Sequence, residues 1–123
     1  MKQLLVNLLL YIVAVSLYVF IYPIGLAYHF INGGSIKGYL LSTATTIDKV
    51  AGWEFRSLWN RTFIKGINKQ EFNDIRFTMS YFLGVNKERN TLTKLGKSIC
   101  SILNFFDKNH VEKAVEQVRN KYF

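Results

Sequence analysis

The sequence predicts an all-α protein: an N-terminal transmembrane helix followed by a small helical domain of about four helices. Three observations predict it. Leu4 to Ile31 contains no Asp, Glu, Lys or Arg. Beyond Asn32, apolar residues recur at helical spacing in several separate runs, and no strand-length alternation competes with them. Nearly all of the charge lies in that second part: of 16 basic and 8 acidic residues only Lys2 precedes Asn32, which leaves the downstream part at +7 of the formal +8. The 123 residues thus divide into an anchor, 1–31, and a basic helical domain, 32–123, large enough for one core.

Crossing a bilayer takes roughly 20 apolar residues in a helix. The run from Leu4 to Ile31 exceeds that and is interrupted only by Asn7, Ser16, Pro23 and His29. It is about twice a usual signal-peptide core and no small-x-small cleavage site closes it, so an uncleaved anchor is expected. Tyr22 and Tyr28 fall where an interfacial aromatic belt would lie. Pro23 and Gly25 leave two arrangements open, a full span or a membrane-dipping hairpin bent at Pro23. Positive charge beyond the anchor and the single unpaired Cys100 favour a cytoplasmic C-terminal domain at a bacterial inner membrane.

Asn32-Gly33-Gly34-Ser35 is the clearest turn signal, with Ser35 as N-cap of a second helix. Ile36, Leu40, Ala44, Ile47, Ala51, Phe55 and Leu58 give that helix one expected buried stripe, and Gly52 within it costs about 1 kcal/mol relative to Ala. Asn60 to Gln70 reads as a loop with a short ordered piece around Thr62 to Ile64. Phe72, Ile75, Met79, Phe82 and Leu83 predict a third helix ending at Gly84 in the C′ position, with a loop from Val85 to Asn90. A fourth helix is expected after Asn90, which would cap it, with Leu95, Ile99, Ile102, Leu103 and Phe106 inward and Lys94 and Lys97 in water. Asp107-Lys108-Asn109 ends it, and Asn109 with Glu112 three residues later matches a capping box for a final helix carrying Val111, Ala114, Val115 and Val118.

Signals for catalysis are weak. His29 and His110 lack ligand partners at metal-binding spacing, so no metal or other cofactor is expected. There is no phosphate-binding glycine loop or nucleophile elbow, and Glu71 with Asp74 fits the start of a helix better than an acid/base pair. Cys100 lies in an apolar helical run, where packing is its expected role. Nucleic-acid binding is disfavoured: the Gly84–Asn90 connection is too long for a helix-turn-helix, and Lys87, Arg89, Lys94 and Lys97 have no aromatic stacking platform beside them. Asn7 and Ser16 lie on different faces and the span has no GxxxG, so self-association is compatible with the sequence without a defined seam.

The ordered set Thr46-Ile47-Asp48, Leu58-Trp59-Asn60, Ser80 to Lys87 (SYFLGVNK), Thr91 to Lys97 (TLTKLGK) and Phe106-Asp107-Lys108-Asn109-His110 resembles a group of small phage and prophage proteins of uncharacterised function. The resemblance covers roughly Ser42 to Ala114 and implies a viral or prophage origin, with no activity attached. Asp48, Asn60, Asn90 and Asn109 are the expected structural polar residues, and no residue is expected to be catalytic. Lys37, Arg56, Arg61, Lys65 and Lys69, which follow the anchor most closely, are the expected basic surface toward anionic lipid or a protein partner. The function expected is non-enzymatic binding or scaffolding at the membrane. The alternatives are a holin-like pore and a virion membrane or packaging component.

Overall fold

The computed structural model describes residues 1–123. It is all-helical: α1 (Lys2–Ile31), α2 (Ile36–Glu54), α3 (Arg56–Thr62), α4 (Met79–Glu88), α5 (Lys94–Phe106) and α6 (His110–Tyr122). The sole extended pairing is one antiparallel bridge between Ile64 and Leu92. The chain divides into two compact units, Met1–Thr43 and Ala44–Phe123.

In the first unit α1 runs unbroken through Pro23, so the bent hairpin is not what this chain forms. A proline costs its helix one amide hydrogen bond, and the turns on either side carry on across the gap. Residues 22, 25, 26 and 29 are half-buried, the i, i+3, i+4, i+7 face on which the start of α2 packs. Tyr22 donates to Thr43 Oγ1 at 2.8 Å, and the Tyr39 ring lies 5.5 Å from Tyr22 and 5.2 Å from His29. Gly25 makes room for this, because a Cβ there would sit 2.9 Å from the Tyr39 hydroxyl. The remaining large apolar side chains of α1, from Leu4 to Ile31, are exposed, and no residue of the helix is buried.

The turn after α1 forms as its sequence predicts. Gly33 takes φ +80°, its N–H donates to Phe30 O at 3.0 Å, and Gly34 N–H donates to His29 O at 2.9 Å, which satisfies two orphan carbonyls in a Schellman arrangement. Ser35 Oγ then accepts from Gly38 N–H and opens α2.

The second unit departs from the periodic reading in three places. Ile47, Phe55 and Leu58 of the stripe expected for the second helix are exposed. The buried member is Gly52, where a Cβ would lie 3.2 Å from Met79 N, so α2 meets the start of α4 through its smallest residue. The chain bends at Phe55 and continues as α3 (Arg56–Thr62), whose last residues, from Asn60, were expected to be loop. Finally, the third helix begins at Met79, capped by Thr78, and runs past Gly84 to Glu88. Gly84 is a packing glycine and not a terminator: a Cβ would come within 2.5 Å of Val111 O and Val115 Cγ2, so its absence lets α4 and α6 approach closely.

The core holds Phe63, Ile64, Phe72, Phe77, Phe82, Leu83, Leu92, Cys100 and Val111, with Trp59, Met79, Tyr81, Ile99, Leu103 and Val118 around it. Three of its phenylalanines, Phe63, Phe72 and Phe77, come from the irregular chain between α3 and α4. Trp59 stacks on Phe63 at 4.5 Å, and Phe82 meets both Phe72 at 5.2 Å and Phe77 at 6.2 Å. Replacing Gly84 with Ala forces the α4–α6 contact apart and lowers stability by about 1–3 kcal/mol. Urea unfolding of the detergent-solubilised chain, followed through tryptophan fluorescence, reads this shift; an unchanged midpoint would mean the helices separate freely.

Candidate functional site

Polar groups from α2, α4, the α5–α6 turn and α6 converge on one line. Ser80 Oγ donates to Asp48 Oδ2 at 2.7 Å, His110 Nε2 lies 3.1 Å from Ser80 Oγ, and His110 Nδ1 lies 3.0 Å from Asp107 Oδ2. Lys113 Nζ closes the line on Asp107 Oδ1 at 2.8 Å. Ser80, His110 and Asp107 thus stand in the order of a nucleophile, base and orienter. Two features oppose that chemistry. Ser80 is only 2 % exposed, which denies a substrate access, and its single hydroxyl hydrogen is directed to Asp48. Asp48 Oδ1 is buried without a hydrogen-bond partner, so the line ends on an acceptor with unused capacity. The arrangement ties α2 to α4 and to the start of α6.

Asp48 and Asn60, the expected structural polar residues, each hydrogen-bond within the second unit. Asn60 Oδ1 accepts the Phe72 amide at 2.7 Å, fixing a core ring that no helix holds. Asn90 does not cap α5: it adopts φ +61° at the end of α4, and Thr93 provides the cap, accepting from Gly96 N–H at 3.1 Å. Asparagine tolerates the left-handed region that this tight reversal requires. Asn109 stands at the N-cap of α6 with φ +59°, but its side chain caps nothing. Glu112 turns away from the expected capping box to pair with Lys87 and to accept from Asn104 Nδ2 at 3.2 Å.

Asn86 is the residue that periodicity missed. It is wholly buried and its amide is fully used: Oδ1 accepts from Gln70 N–H at 2.9 Å and from Thr91 Oγ1 at 2.6 Å, while Nδ2 donates to Gln70 O and Phe82 O, each at 2.8 Å. An Asn inside an apolar helix run was the available signal.

Lys37, Arg56, Arg61, Lys65 and Lys69 are the five residues expected as a basic surface. Lys37 is exposed in the first unit and the other four belong to the second. Arg56 is engaged inward: its Nη1 donates to Trp53 O at 2.8 Å and its guanidinium lies 3.9 Å from the centre of the Trp53 ring. It closes the end of α2 and is not a free surface cation. Arg61 lies five residues along α3, about 140° around the helix, so the two do not share a face. Lys65 is exposed, whereas Lys69 is half-buried in a shallow cleft with Ile67, Asn68 and Arg89.

A cleft of about 730 Å³ opens beside α5 and includes Lys87, Leu92, Lys97, Cys100, Asn104 and Phe105 in its lining. Burial pushes the Cys100 thiol up to about 11, which makes it a poor nucleophile at neutral pH. No group of three or more His, Cys, Asp or Glu side chains converges in a way that would hold a metal ion. Comparison with protein-family models, curated proteins and solved structures found no match.

Asn86→Ala strands the Gln70 amide and the Thr91 hydroxyl in the interior. It is expected to cost about 3 kcal/mol or more, read as a fall in the urea midpoint. A fall no larger than that of an exposed control such as Asn120→Ala would remove Asn86 from this role. Three carboxyls set the acid response. Asp107 is lowered by hydrogen bonds from Lys113 and then His110, and Asp74 by its hydrogen bond with Arg76. For Glu112 burial works upward, but Lys87 and Asn104 bring the net value below the usual 4.5. Depressed carboxyls contribute stability above their unfolded values and lose it as pH falls through their folded ones. Stability should therefore decline below about pH 4.5, and Glu112→Gln should flatten that decline in urea midpoints taken from about pH 6 to 3.

Proposed function

We propose that the chain is a non-enzymatic, phage-type integral membrane protein. In this reading α1 anchors it and its helical domain binds or scaffolds a protein partner at the cytoplasmic face of a bacterial inner membrane. The observation that carries the reading is α1 itself: 30 residues, apolar enough to cross a membrane, with none of its most apolar stretch buried by the rest of the chain. A core helix of a soluble domain would be covered. Leaving each large apolar side chain in water forgoes roughly 1.5–3 kcal/mol, and α1 exposes most of a full span of them.

The helix is about 45 Å long against a hydrocarbon core of about 30 Å. A span that begins near Leu4 ends near Tyr22, which leaves Tyr22 to Ile31, packed against the start of α2, at headgroup level. That division suits the polar contacts there, Tyr22 with Thr43 and Tyr39 with His29, and gives Tyr28 an interfacial position. The concentration of Lys and Arg beyond the anchor supports a cytoplasmic domain. The phage origin rests on the ordered motifs from Thr46 to His110.

A holin-like pore would use polar side chains in the span as contacts between copies. Asn7 Oδ1 instead accepts from Gln3 Nε2 at 2.9 Å, one turn away on its own helix, which favours the anchor. Expression with a C-terminal reporter, followed by carbonate extraction and protease access from each side, tests the proposal. A carbonate-resistant chain whose reporter is cleaved only after the cells are opened is the expected result, with membrane potential retained on induction. A carbonate-soluble chain removes the anchor, an externally cleaved reporter reverses the orientation, and rapid depolarisation selects the pore.

A further inference from the structure

The outer face of α5 carries apolar side chains that nothing in the chain covers. Leu95, Ile102, Phe105 and Phe106, with Ser98 among them, fall within an arc of about 100°. The two phenylalanines are 83 % and 81 % exposed, and Leu95 and Ile102 about half. The sequence pattern points Leu95, Ile102 and Phe106 into the core, yet α5 packs through the opposite arc, where Gly96 and Cys100 are buried and Leu103 is half-buried. Gly96 decides this, since a Cβ there would lie 2.3 Å from Phe63 O and only glycine lets the helix seat on that side.

Charge accompanies the patch. Lys94 borders one edge of the arc, Lys97 lies about 80° beyond that edge, and Lys108 follows its C-terminal end, all exposed and none in an ion pair. The nearby acids are committed within the domain, Asp107 to Lys113 and His110, and Glu112 to Lys87. The free charge around the apolar arc is therefore positive. An apolar helix face edged by unpaired lysines has the composition of an interfacial membrane helix. Its exposed apolar area, roughly 500 Å², falls short of the about 800 Å² per partner of a stable protein interface. A bilayer surface needs no such area from a domain already tethered beside it.

We infer that α5 is a second membrane attachment: Phe105, Phe106, Ile102 and Leu95 dip into the interfacial layer of an anionic bilayer while Lys94, Lys97 and Lys108 meet lipid phosphates. The inference rests on the anchor reading, since the span keeps the domain at the lipid surface. It is tested on the full chain in vesicles of equal parts phosphatidylcholine and phosphatidylglycerol. An NBD probe is placed on a cysteine at Ser98, the polar gap in the arc, in a Cys100→Ala background whose helicity matches the parent. Probes at Leu17, within α1, and at Asn120, exposed on α6, serve as references.

The expected result is loss of about half of the Ser98 probe's emission to lipids carrying a shallow doxyl quencher, with little loss at Asn120. The loss should shrink severalfold in pure phosphatidylcholine and in a Phe105→Ser, Phe106→Ser variant that keeps its helicity. Quenching at Leu17 but not at Ser98 overturns the inference and leaves the anchor standing. Quenching at Ser98 but not at Leu17 upholds α5 docking and removes the span. A blue-shifted, unquenched Ser98 probe means that a second copy or another protein covers the face, and it overturns the inference. So does quenching that persists in the double serine variant, because proximity from the tether alone would then explain it.

Discussion

The side-chain amide of Asn86 does inside this domain what a neighbouring β-strand does in a sheet. It accepts the N–H and returns a donor to the C=O of the same residue, Gln70, and so satisfies a segment that has no helix or ladder of its own. Asn60 grips the Phe72 amide two residues further along. Between them these amides hold Gln70 and Phe72 in the irregular chain between α3 and α4. The core then becomes possible, because Phe72 and Phe77 reach Phe82 only from a segment held in that path. A buried polar network of this kind specifies a single arrangement so long as it is complete, and Asn86 leaves none of its groups unused.

Where composition, turn chemistry and helix-end signals decide, the limits of the elements were legible. The apolar run became α1, the Gly33-Gly34 turn and the Ser35 cap formed where their chemistry required, and α5 and α6 lie close to their predicted limits. Periodicity failed where small residues decided the packing. α2 turns Asp48 and Gly52 toward α4 and leaves the larger Ile47 and Val50 outside, since close approach and a hydrogen bond to Ser80 outweigh the burial of a wider stripe. Gly84 has the same ambiguity: in sequence it looks like a helix stop, and only the presence of α6 reveals its use. Phe63 and Phe77 lie outside the expected stripes, and Phe72, expected on the third helix, is instead held by the Asn60 side chain, a device without a spacing signature. The same holds for the polar line. Asp48 and Asn60 stand out as polar residues beside apolar runs, but Ser80 meets Asp48 across 32 positions and His110 across 30.

The charged residues follow a division that bears on function. Asp74 pairs with Arg76, Glu88 with Arg119, Glu112 with Lys87, and Asp107 with Lys113, all near the surface. Such pairs contribute little each and weaken with salt. The stability of the domain therefore rests on its aromatic core and its buried amides. Among the lysines left out of this pairing are Lys94, Lys97 and Lys108, which form no ion pair. If α5 meets an anionic surface as proposed, these lysines would engage it without withdrawing anything from the fold. Arg56 is the contrasting case, a cation absorbed into the end of α2 by Trp53, whose removal would disturb structure before it disturbed any partner. Proximity to the anchor in sequence is thus a poor guide to which charges are available. Availability is decided by what each side chain already holds.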